Sequence, residues 1–149
     1  MPNWSHFAVL APELAAYGAK RLQGRIAYLA TLLPDGSPRL HPVSPVIAGG
    51  SLFVYMEPTS PKGRDLLRDG RYALHCAVED KSGGEGEFLV RGYAAEVADA
   101  RVREEAFGQA RAIGYNPQDR YVLFELAVTD VQATLYESHP PKRMRWKAS

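Results

Sequence analysis

Short apolar runs set off by glycine and proline dominate the chain. Ile26–Leu33 is almost wholly apolar and stops at Pro34-Asp35-Gly36, the pattern of a strand buried on both faces and closed by a tight turn. Leu52–Met56, Tyr72–Val78, Phe88–Val97, Tyr121–Val128 and Val131–Glu137 are further compact runs between turn-forming residues, and each predicts a strand. Pro38–Ala48 is extended as well. Pro38, Pro42 and Pro45 exclude a regular helix and withhold three amides, so the strand is irregular or lies at an edge.

Three segments carry helical spacing. Pro12–Gln23 repeats apolar residues at Leu14, Tyr17 and Leu22 and stops at Gly24. Pro61–Asp69 follows Ser60, a good N-cap, and closes at Gly70. Ala100–Ile113 places Val102, Ala106, Phe107, Ala110 and Ile113 on one face, with Asp99 to cap it and Gly114 to end it. Six or seven short strands joined by tight turns predict a mainly β protein, an antiparallel sheet curled into a barrel with flanking helices.

At 149 residues and 46% hydrophobic, the chain is sized for a single domain spanning 1–149 with a real core. The net charge of +1 speaks against a protein that coats nucleic acid. No apolar run reaches the ~20 residues that span a bilayer, and the start shows no basic segment followed by an apolar one. Cys76 is the only cysteine, which excludes a disulfide framework. The expectation is a cytoplasmic protein with no membrane and no nucleic-acid partner.

The segment Ser60-Pro61-Lys62-Gly63-Arg64-Asp65 carries the chemistry. A helix start offers free amides and a partial positive charge, and acidic residues normally stand there. Here Lys62 and Arg64 stand there instead. An anion in front of the turn removes the conflict, held by amides, the Ser60 hydroxyl and Lys62; solvent-facing cations are the alternative. Arg39 and His41 alternate on one face of the extended segment and would enlarge the positive pocket. Pro42 and Pro45 disturb the ladder there, which leaves the amides of Val43 and Ser44 for a ligand.

The ordered set of Ala27–Leu33, Asp35-Gly36-Ser37-Pro38, Leu52–Met56, Ser60-Pro61-Lys62-Gly63-Arg64-Asp65-Leu66 and Arg71-Tyr72-Ala73-Leu74 resembles the pyridoxamine 5'-phosphate oxidase-like family. The resemblance runs from about Arg25 to Val97. It implies a Greek-key type FMN-binding split barrel and a homodimer with FMN at the subunit interface. It places Ser60 and Lys62 on the FMN phosphate and His41 where the oxidases have a phosphate-binding arginine. Val43 and Ser44 fall on the backbone that meets the flavin ring, Tyr55 precedes the phosphate loop, and Glu87 reaches the flavin from the partner subunit. Val46 stands where the oxidases carry a substrate-binding lysine, which points away from pyridoxine 5'-phosphate as substrate. The activity implied is an FMN-dependent oxidoreductase exchanging a hydride with a small molecule. The alternatives are a reductase using the deazaflavin coenzyme and a non-enzymatic flavin or haem carrier.

Three other features are weaker. Lys142–Lys147 holds four cations around Trp146, a solvated tail or one packed over a dimer partner, where Trp146 would cover the partner's cofactor. Gly83–Glu87 lacks the residues of a phosphate loop and reads as a flexible turn. His6, His41, His75 and His139 show no metal-ligand spacing, so no metal site is expected.

Overall fold

The computed structural model describes residues 1–149. The elements in chain order are α1 (Trp4–Leu10), α2 (Pro12–Leu22), β1 (Ala27–Leu32), β2 (Pro38–Val43), β3 (Val46–Ala48), β4 (Ser51–Met56), α3 (Pro61–Arg68), β5 (Arg71–Cys76), β6 (Glu87–Glu96), α4 (Ala100–Ala112), β7 (Val122–Leu135) and β8 (Lys142–Lys147). All strand pairs are antiparallel, in the order β2-β1-β5-β6-β7-β4-β3, with β8 added to β7. The result is the expected split barrel: a curled antiparallel sheet with flanking helices. β2 and β3 stand at opposite ends of the order although only Ser44-Pro45 separates them in sequence.

The barrel interior is one apolar cluster that includes Leu29, Leu52, Val54, Leu74, Phe88, Val90, Phe124 and Leu126. α1 and α2 close one end with Trp4, Phe7, Leu14 and Leu22. The fit is tight, since an added Cβ at Gly18 of α2 would lie 2.3 Å from the Phe88 ring. A second cluster joins Val46, Phe53, Tyr55 and Leu123 to Ala106 and Ala110 of α4. Alternation along β4 sends Leu52, Val54 and Met56 inward and Phe53 and Tyr55 toward α4.

Several expectations are corrected. β1 is buried on one face only: Tyr28 remains 42% exposed. Its outer neighbours by register are Pro42 and His75, and next to them lie Ala30, Leu40 and Ala73. The helices number four, because Asn3 Oδ1 accepts from the His6 amide and starts α1. Tyr121–Val128 and Val131–Glu137 are parts of one long strand, β7. Its polar break at Thr129-Asp130 is held in the sheet by Arg91 and Arg145, whose guanidinium groups lie 2.9 and 3.3 Å from Asp130. The basic tail is strand β8, with its cations outward and Trp146 turned back on Phe7, ring centroids 5.2 Å apart.

The glycine turn at 83–87 is tied down rather than loose. Arg21, 2% exposed, donates to the carbonyls of Glu85 (2.8 Å) and Ala77 (2.7 Å), and the Tyr17 hydroxyl also donates to Glu85 O.

Candidate functional site

β2 runs along β1 with Arg39 opposite Thr31, His41 opposite Leu29 and Val43 opposite Ala27. Directly paired residues share a face, so Arg39, His41 and Val43 all look to the barrel side, where α3 packs against β1. Two segments far apart in the fold order thereby meet at one corner.

Ser60 caps α3 as expected. Its Oγ accepts from the Gly63 amide at 3.2 Å, and Pro61 fills the first helical position. Gly63 leaves room for this turn: a Cβ there would fall 3.0 Å from Ser60 Oγ and 3.3 Å from Met56 Sδ.

Beneath the turn lies Asp65, 1% exposed. Its carboxylate accepts from Thr31 Oγ1 at 2.8 Å, Arg39 Nε at 2.7 Å and Arg68 Nη2 at 2.6 Å. Burial alone pushes such a carboxyl up. The bonds from Arg39 and Thr31 and the charges of Arg39 and Arg68 outweigh it and hold Asp65 below its ordinary value. The protein's own carboxylate therefore engages Arg39 through Nε. It leaves the Arg39 Nη atoms without a protein partner.

Lys62 and Arg64 are different. None of the molecule's ion pairs includes either of them. His41 sits close enough to Lys62 and Arg39 for their charges to add to burial in lowering its basicity. The corner thus gathers Arg39, His41, Ser60 and Lys62, with one internal counter-charge on its inner side, while Arg64 is exposed two residues further along α3. The donor set suits a phosphate: Lys62 without a partner, the unpaired Nη edge of Arg39, an imidazole that can gain a proton, and a helix start.

Just past β2 the chain kinks at Ser44-Pro45, and Ser44 makes no backbone hydrogen bond. A cleft of about 180 Å³ opens there, lined by Arg25, Ile26, Ser44, Pro45, Ile113 and Tyr115 among others. A free amide beside a small cleft is a fit for the polar edge of a flavin ring. Sequence reasoning missed Arg25, Ile113 and Tyr115, because the two walls lie almost ninety positions apart and no local pattern joins them.

The other expected residues do not join this corner. The Tyr55 side chain lies on the α4 side of β4, opposite to Met56, with its ring 6.1 Å from that of Tyr115. Its buried hydroxyl has no partner, and burial pushes it up. Glu87 starts β6, bonds the Tyr136 hydroxyl and lies 3.7 Å from His75 Nε2. By register it shares the outer face with Leu89, which pairs with His75. Trp146 packs on its own chain's Phe7 and His6. No group of His, Cys, Asp and Glu could hold a metal ion, and no helix is long and apolar enough to cross a membrane.

Comparison with known proteins agrees with this architecture. A conserved hypothetical protein of Mycobacterium tuberculosis superposes with a TM-score of 0.75 at 17% identity, over 93% of this chain and 92% of its own. A NimC/NimA family protein of Clostridium acetobutylicum gives 0.65 at 18% identity, over 90% and 91% of the two chains. HutZ, the haem storage protein of Vibrio cholerae, gives 0.61 at 19% identity, over 80% and 89%. At these identities the likeness shows the fold. Among curated proteins the sequence has no match. Residues 16–135, which contain the corner and β1 through β7, match the pyridoxamine 5'-phosphate oxidase family, and the chain belongs to that family.

Proposed function

We propose that the chain is an FMN-dependent oxidoreductase that works as a homodimer. The observation that carries this reading is the corner at α3. Lys62 and Arg64 stand at a helix start with no internal counter-charge, His41 lies beside Lys62, and the free Ser44 amide follows just past the end of β2. A phosphate monoester carried by a flat ring matches that arrangement. Lys62 and the Lys62 amide hold the phosphate, and Arg64 and the Arg39 Nη atoms add positive field. The Ser44 amide donates to the ring. The bound flavin supplies hydride transfer. The chain's own groups bind and orient it, and Ile26, Pro45 and Ile113 keep water from the adjoining cleft.

The outer face of the sheet supports the homodimer reading. Ile26, Tyr28 and Leu40 are 47%, 42% and 66% exposed, an apolar surface more typical of an interface than of a free sheet. A second copy seated there brings its Glu87 and His75 along the same face.

The test is an equilibrium titration of the purified chain with FMN, read by flavin fluorescence. Saturable binding at one FMN per chain is expected. Lys62→Ala should weaken it by about 10- to 100-fold, from the loss of a charge-assisted bond worth ~1.5–3 kcal/mol. The same preparation is offered haem and the deazaflavin coenzyme. Tight binding of either, with FMN excluded, replaces this reading by the corresponding alternative.

A further inference from the structure

Arg25 is the one charged residue lining the cleft beside Ser44; every other wall residue is uncharged. It follows Gly24, whose φ of +72° turns the chain just past the end of α2. Its guanidinium is occupied by one carboxylate in a two-bond fork, with Nη1 3.0 Å from Glu85 Oε2 and Nη2 3.1 Å from Glu85 Oε1. Glu79 stands farther off at 3.9 Å.

The way Glu85 is held is unusual. Its main chain is clamped by Arg21 and Tyr17, while its side chain is 53% exposed. A fixed backbone with a free side chain lets the carboxylate swing away without disturbing the loop. A solvent-exposed pair of this kind is weak. Glu85 itself does not line the cleft, so the fork reaches a carboxylate inside it by turning from Glu85 toward Ile26, Pro45 and Ile113, where there is less water and a charge-assisted fork is stronger.

We infer that the cleft takes a small carboxylic acid, anchored by Arg25, and that Glu85 is the resident carboxylate it displaces. The volume of about 180 Å³ admits one six-membered ring bearing a carboxylate. This rests on the flavin reading above, since it makes the acid the molecule that lies against the ring.

The experiment uses FMN-loaded protein titrated with sodium benzoate at constant ionic strength, read by the flavin difference spectrum. Benzamide, neutral and of equal shape, is the control. FMN retention is measured first in every variant. Benzoate is expected to perturb the flavin saturably and benzamide to do so at least tenfold more weakly. Arg25→Gln should abolish that preference while keeping FMN. Glu85→Gln, which removes the competitor and keeps the clamped backbone, should tighten benzoate several-fold. A merely structural Arg25–Glu85 pair predicts no tightening. Equal response to the two ligands, or unchanged benzoate affinity in Glu85→Gln, overturns the inference while FMN stays bound. Failure to bind FMN at all strikes the flavin reading instead; benzoate binding is then followed by calorimetry on the flavin-free chain with the same variants.

Discussion

The two sides of α3 hold like charges in opposite states. On the inner side Asp65 is buried and meets Thr31, Arg39 and Arg68. On the outer side Lys62 and Arg64 meet no carboxylate, and His41 is kept poorly basic by burial and by Lys62 beside it. One turn of helix separates a closed electrostatic network from an open one. The closed half joins α3 to β1 and β2 and so fixes where the open half points. A folding contact and the proposed binding contact are thereby open to separate mutation, although they lie within four residues.

The largest effect is expected on the closed side. Asp65→Ala strands Arg39, Arg68 and the Thr31 hydroxyl, and should cost ~2–4 kcal/mol in denaturant unfolding; the partly exposed arginines hold it below the full cost of breaking a buried pair. The pH dependence follows from the carboxyl being held below its ordinary 3.8. A depressed carboxyl stabilises the fold above that value, and the contribution fades as pH falls through the lower, folded-state value. Acid unfolding of the wild type should therefore contain a component that Asp65→Asn lacks.

Lys62→Ala sharpens the contrast from the other side. It should leave unfolding within about 0.5 kcal/mol of the wild type, because no protein group relies on it, while FMN affinity falls. A variant that loses stability and affinity together would show the two halves to be one structure.

His41 tests the open side without removing charge permanently. Its proton is disfavoured in the free protein by burial, Lys62 and Arg39. A bound dianion favours that proton, so FMN binding should take up a proton and tighten as pH falls from about 8 to 6.5. His41→Ala should flatten this slope. A slope that persists in the variant assigns the proton to another group.

The smallest effect belongs to Thr31→Val, which removes one of three donors to Asp65. A loss of ~1 kcal/mol of stability is expected, with FMN affinity unchanged. An affinity change as large as that of Lys62→Ala would mean that the inner network sets the outer one directly.

Much of this was legible in the chain. The strands announce themselves by apolar runs and proline-glycine breaks, Ser60 and Lys62 sit in a helix start whose charge is of the wrong sign for one, and Arg39 and His41 share a face by strand alternation. What escaped depended on distance. Asp65 reads as a surface helix residue until Thr31 is laid beneath it. Thr129-Asp130 reads as a turn until Arg91 and Arg145 hold it in the sheet. Lys142–Lys147 alternates as a strand does, yet its charge suggested a loose tail. Arg25 and Tyr115 meet only because α4 returns to the barrel mouth. The exposed outer face of β1 is hidden in the sequence because Tyr28 sits in an unbroken apolar run, and only the pairing shows that it points away from the core.

The central claim is that the open half of the α3 corner holds the phosphate of a redox coenzyme. It is tested most directly by comparing FMN with riboflavin, its phosphate-free form, on wild-type and Lys62→Ala protein in one fluorescence titration. The account predicts that the wild type prefers FMN by tenfold or more and that Lys62→Ala loses most of this preference by weakening FMN alone. Equal affinity for the two ligands in the wild type, or a preference untouched by Lys62→Ala, would contradict it.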